Sequence, residues 1–149
     1  MRLSFKHEFN LPLAELYSYA RTPADWTRIF GFPGDPIDLG DGWFSLPLKN
    51  FPFPLVAKNV EQEELKFAKW VFKGFWRGHG EMCFTETDQG VLVEGYEEVS
   101  VRWLFFLSPI IEKLFLEKGF EKIWNIGWRK LRKRQQEQGQ TTKSELAGP

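Results

Sequence analysis

Polar and apolar residues alternate from Arg2 to Phe9, with Leu3, Phe5, His7 and Phe9 on one side and Arg2, Ser4, Lys6 and Glu8 on the other. A period of two is that of a half-buried strand. The period then changes. Leu13, Leu16, Tyr17 and Ala20 form the apolar stripe of a short helix, which Asn10 can cap with Pro12 in the first turn. Thr22-Pro23-Ala24-Asp25 is a second start signal, a capping box with Asp in the acidic place, and predicts another short helix ending near Gly31.

Prolines and glycines between Phe32 and Gly42 leave room only for brief strand pieces. Further strands are predicted over 43–49, 55–61, 66–77 and 80–87; the Phe51-Pro52-Phe53-Pro54 stretch interrupts them, because proline removes a ladder donor. Asp88-Gln89-Gly90 predicts a tight hairpin connection to a long strand from Val91 to about Trp103. Ser108 as N-cap and Pro109 as first residue open the clearest helix, with Ile111, Phe115, Phe120, Ile123, Trp124 and Leu131 on its dry face. Its expected length is about seven turns. Arg129, Lys130, Arg132, Lys133 and Arg134 close it, and residues 135–149, polar and without periodicity, predict a disordered tail.

The order is strand, two short helices, a run of antiparallel strands and one long helix. It defines a single α+β domain over 1–134, in which a curved antiparallel β-sheet of about six or seven strands grips the C-terminal helix. In this order, in the Asn10-Leu11-Pro12-Leu13-Ala14-Glu15-Leu16-Tyr17 stretch leading into the first helix and in the closing helix, the chain resembles the START-like (SRPBCC) helix-grip superfamily. That superfamily includes polyketide cyclases, plant pathogenesis-related allergens and lipid-transfer modules. The resemblance implies a ligand cavity between the sheet's concave face and the helix. It implies no particular chemistry, since the superfamily shares no catalytic signature.

Composition narrows the options. Lys+Arg and Asp+Glu are 20 each, so no global field draws the chain to nucleic acid or an anionic surface. The lone Cys83 cannot form an internal disulfide and the N-terminus lacks the order of a signal peptide, which together predict a cytoplasmic setting. The apolar run from Trp103 to Ile111 is too short to span a bilayer. Aromatic residues make up 17% of the chain, with 15 Phe and 7 Trp, so large rings either fill the core or line a cavity for a guest.

Parity places the candidate lining. Ala68, Trp70, Phe72, Gly74 and Trp76 share the drier face of their strand, and Val91, Val93, Gly95, Val99, Val101 and Trp103 share a face with Glu97. The expected ligand-binding set is Trp70, Phe72, Trp76, Met82, Phe84, Glu97, Val99, Val101, Phe120, Ile123, Trp124 and Gly127. Glu97 has two readings: an inward acid whose pKa burial would raise, or, more ordinarily, a residue turned to solvent by a bulge. His79, between two glycines, is either a polar group of the cavity or, more ordinarily, a surface histidine; Tyr96 is a third candidate for orienting a guest. His7 is explained by a hydrogen bond in the core. No ligand spacing for zinc or iron, no nucleophile elbow and no phosphate loop is present in the sequence, so no metal or cofactor is expected.

Gly119 and Gly127 interrupt the long helix at a cost of roughly 1 kcal/mol each relative to Ala. Either they admit a ligand to the helix backbone or they make room for tryptophans from the sheet. The cations of 129–134 complement a helix C-terminus or form an anion-binding patch. The aromatic loops at 30–33 and 51–54 gate a cavity, touch a membrane transiently or pack simply on the body. The leading expectation is a carrier or sensor of a small hydrophobic or aromatic molecule; a polyketide cyclase-like enzyme and a docking module without an internal ligand are the alternatives.

Overall fold

The alternation of residues 2–9 becomes β1 (Arg2–Phe9), whose inward row ends on the fully buried Phe9. The computed structural model describes residues 1–49, 51, 53–101 and 109–147, the last segment with side chains from Leu114 onward. Two short helices follow, α1 (Leu13–Ser18) and α2 (Pro23–Trp26). Pro12, not Asn10, is the N-cap of α1, and no side chain caps it. The second start signal holds as expected: the Asp25 carboxylate accepts the Thr22 backbone N–H at 3.1 Å and the Thr22 hydroxyl at 3.0 Å. Leu16, Tyr17 and Trp26 are the buried anchors of the pair.

The remaining strands are β2 (Ile37–Gly40), β3 (Trp43–Leu46), β4 (Leu55–Glu63), β5 (Phe67–Lys73), β6 (Trp76–Thr87) and β7 (Gly90–Val101). They form one antiparallel seven-stranded sheet in the order β1-β7-β6-β5-β4-β3-β2. The segment 66–77, expected as one strand, is cut by a turn in which Gly74 adopts φ +88°. A side chain there would be strained, which is why glycine occupies the site. Residues 74 and 75 make the turn, so parity is preserved and Trp76 still points inward with Trp70 and Phe72. A bulge in β4 after Asn59 accompanies a clamp, for the Asn59 amide donates to the carbonyls of Ala20 and Arg21 at 2.9 Å and ties the short helices to the sheet.

The long helix α3 (Pro109–Leu146) packs on the sheet through Leu116, Phe120, Ile123, Trp124, Trp128 and Leu131, one stripe at three- and four-residue spacing. Its expected cap, Ser108, lies outside the described residues, as do Arg102 and Trp103, which were expected to end the long strand. The helix runs on through the segment expected to be a disordered tail. Gln, Glu and Lys are good helix formers, and extending an existing helix avoids the cost of nucleation. The cations of 129–134 therefore sit in mid-helix rather than at its end. Two of them fasten α3 to the body: Arg132 donates to the Glu8 carbonyl at 2.8 Å and lies 4.5 Å from the Phe9 ring centre, and Arg134 pairs with Glu15 at 2.8 Å.

Both helix glycines have a steric reason. A Cβ on Gly127 would lie 2.1 Å from the Phe30 ring, and one on Gly119 would lie 2.6 Å from Phe51. The rings that press on these two glycines thus come from the loops after α2 and β3, not from tryptophans of the sheet.

Candidate functional site

Glu97 sits where the sheet and α3 come together. The β6–β7 register runs without a shift from Trp76↔Val101 to Thr87↔Gly90, and Glu97 is paired with Gly80 on one side and Leu3 on the other. No bulge turns it outward, which overturns the more ordinary of its two readings. At 2% exposure it is the one buried charged residue among those described.

Rings and aliphatic side chains surround it. Trp26, Phe30, Phe32 and Leu55 come from α2, the loop after it and β4; Phe120, Ile123 and Trp124 come from α3. The Trp124 indole N–H donates to Glu97 Oε1 at 3.3 Å. The Trp70 indole also favours the ionised acid, yet its N–H lacks a hydrogen bond of good geometry and is buried without a partner among the described residues. Room for Trp70 is made by Gly80, where a Cβ would meet the indole at 2.6 Å. Burial outweighs the two indoles and pushes the Glu97 pKa up to about 7. Near neutral pH the group is therefore divided between a carboxylate, which only accepts, and a carboxylic acid, which also donates.

The hollow beside Glu97 measures about 10 Å³, room for one water at most. The expected open cavity is closed in this structure. The physical reason is the wealth of large rings: Phe30 stands edge-on to Trp124 at 4.6 Å, and Trp124 stacks on Phe5 at 5.0 Å. Of the expected lining, Glu97, Phe120, Ile123 and Trp124 reach the hollow. Trp70 packs on Trp26 at 5.0 Å, Trp76 packs on Phe51 and Phe120, and Phe84 packs on Tyr17. Phe72, Met82 and Val99 are buried, Val101 is partly buried against the core, and Gly127 receives Phe30. Trp26 and Leu55 were not anticipated, whereas Phe30 and Phe32 belong to the aromatic loop for which gating of a cavity was one of the expected readings. Gly127 marks a close approach to the helix but not the residue making it.

The other candidates lie elsewhere. His79 is half exposed on the outer face, 3.6 Å from Glu98 and edge-on to Tyr96. Neither His79 nor Tyr96 can orient a molecule in the hollow. His7 is not a hydrogen-bonded core residue: it is half-buried with its ring tilted against Trp128 at 4.5 Å, and its pKa is lowered by burial and by Arg132. Burial, Glu81 and Glu94 push the Cys83 thiol up, which disfavours thiolate chemistry. Among the described residues no cluster of three His, Cys, Asp or Glu could hold a metal, and no helix is long and apolar enough to cross a membrane.

No family model matches this sequence, and no curated protein matches it. Solved structures do resemble it. A protein from Nitrosomonas europaea is 18% identical with TM-score 0.62, over 93% of this chain and 96% of that one. XoxI from Bacillus cereus is 9% identical with TM-score 0.66, over 90% and 94%. The di-domain ARO/CYC StfQ from the steffimycin biosynthetic pathway is 10% identical with TM-score 0.67, over 93% of this chain but 51% of its own length. The similarities establish the fold: this chain has a helix-grip architecture, an antiparallel sheet closed over a long C-terminal helix.

Proposed function

We propose that the chain binds a small, largely apolar molecule carrying one carbonyl or hydroxyl group, anchored by Glu97 in a hollow that widens when Phe30 and Phe32 move away from α3. The observation that carries this reading is the Glu97–Trp70 pair: a buried acid of raised pKa beside a buried indole N–H without a partner. Either feature weakens the fold. An unsatisfied buried donor costs about 1–3 kcal/mol, and apolar replacements of similar shape would avoid the penalty. A guest carbonyl could accept from protonated Glu97, which lines the hollow, while the surrounding rings supply apolar contact. A perturbed ionisable group beside a cavity is a candidate functional group.

The likeness to an ARO/CYC protein raises a cyclase reading. General acid–base work on a polyketone calls for a second ionisable group, and among the described residues Glu97 is the one that lines the hollow. Binding is therefore favoured over catalysis. The test is native mass spectrometry of the freshly purified protein, followed by titration with 1-tetralone and 2-naphthol while the indole N–H resonances of Trp70 and Trp124 are observed. Both resonances should move, and Glu97→Leu should weaken binding about tenfold. Indole resonances unmoved by every apolar carbonyl or hydroxyl compound tried would sink the reading.

A further inference from the structure

The outer flank of α3 carries a second concavity. Phe51 stands edge-on to Phe115 at 5.6 Å, and beside them Gly119, Ile123 and Ile126 complete the floor of a groove of about 270 Å³. The floor is apolar, and Phe115 is 59% exposed. Its charged lining is all of one sign: Lys49 from the loop after β3, and Lys118 and Lys122 one helical turn apart on α3. Among the described residues no acid lines the groove, and none of the three lysines makes an ion pair. Glu121 does not line the groove; it lines a neighbouring concavity with His7 and Trp128, which Lys118 and Lys122 also border.

Like charges four residues apart on a helix repel, and an exposed ring over an apolar floor leaves water poorly accommodated. Both costs fall if the groove is filled by an apolar body bearing a negative end. We propose that this groove is a binding site for a free, single-chain anionic amphiphile, an alkyl carboxylate of medium chain length. The chain lies on Phe51, Phe115 and Gly119, and the carboxylate is met by Lys118 and Lys122 from the helix and Lys49 from the loop. Cations approaching from two elements around a concave floor suit one chain better than a flat bilayer face. Ile123 lines this groove as well as the hollow beside Glu97, but the assignment does not depend on a guest in that hollow.

The experiment compares decanoate, decanol and decyltrimethylammonium, each below its micelle concentration, by calorimetry and by the methyl resonances of Ile123 and Ile126. Decanoate should bind at least tenfold more tightly than decanol, and the cation should not bind. Lys118→Glu with Lys122→Glu should cost decanoate at least tenfold and leave decanol unchanged, while the paired Arg substitutions keep decanoate binding. Glu97→Gln should also keep it, which separates this site from the interior one. The assignment falls if the three compounds bind alike, if charge reversal has no effect, or if decanoate moves the indole resonances of Trp70 and Trp124 instead. It falls equally if the protein sediments with phosphatidylglycerol vesicles yet ignores free decanoate.

Discussion

At the scale of single residues, Glu97 makes stability depend on pH in a definite direction. An unfolded glutamate loses its proton near 4.5, whereas Glu97 in the folded chain holds it to about 7. Between those values the folded state binds the extra proton, so stability falls as pH rises, by about 3 kcal/mol once the upper value is passed. Glu97→Gln keeps an acceptor for Trp124 and removes the ionisation. Urea denaturation at several pH values should show the variant gaining on the parent protein from about pH 5 to 8 by that amount. A constant difference across the range would mean that Glu97 titrates normally. Gly127 gives a second case. In an open helix Gly→Ala stabilises by about 1 kcal/mol, but here the new Cβ meets Phe30 at 2.1 Å, so Gly127→Ala should instead destabilise by about 1–3 kcal/mol. Gly139→Ala, with nothing within 4 Å, is the control and should raise helicity slightly by circular dichroism. The inward parity of Glu97 could be seen in the sequence, because the valines on either side of it keep a period of two. Its register could not, since a bulge depends on hydrogen bonds to neighbouring strands that alternation does not encode.

At the scale of elements, α3 divides into a fastened part and a free part. Its last side-chain contact with the body is Gln138 to Glu15 at 3.4 Å, and residues 139–147 are exposed. Ending the chain after Gln138 should leave the melting temperature unchanged. Ending it after Lys133 removes the Arg134–Glu15 pair and the bond from Asn10 N–H to Gln135 at 3.1 Å, and should lower it measurably. Equal melting temperatures for the two truncations would show that these contacts do not hold the helix down. The helix was legible from its apolar stripe, but its end was not: a polar segment without a partner face has the same pattern whether it is coil or an extension of an existing helix. The division of 66–77 into two strands was hidden for a different reason. A two-residue turn leaves the alternation intact, and Gly74 was its one signature.

At the scale of the molecule, the architecture could be read from the order of periods and turn signals, and the closed interior could not. Whether a sheet and a helix leave space between them depends on how rings from distant loops pack, and Phe30 occupies the position that decides it. Phe30→Ala should cost about 3–5 kcal/mol and leave a dry void beside Trp124. Benzene, which fills such voids, should then bind and raise the melting temperature of the variant alone. If benzene has no effect, the core has collapsed around the missing ring, and widening of the interior by movement of Phe30 loses its support.

Trp124 and Trp128 lie with ring centres 5.7 Å apart and planes inclined by 15°. At that separation two indole chromophores exchange excitation rather than absorbing independently, so their near-ultraviolet dichroism belongs to the pair. Since both project from one face of α3 onto the ring of Phe5, that optical signal reports whether the helix is seated on the sheet, and it does so without any label.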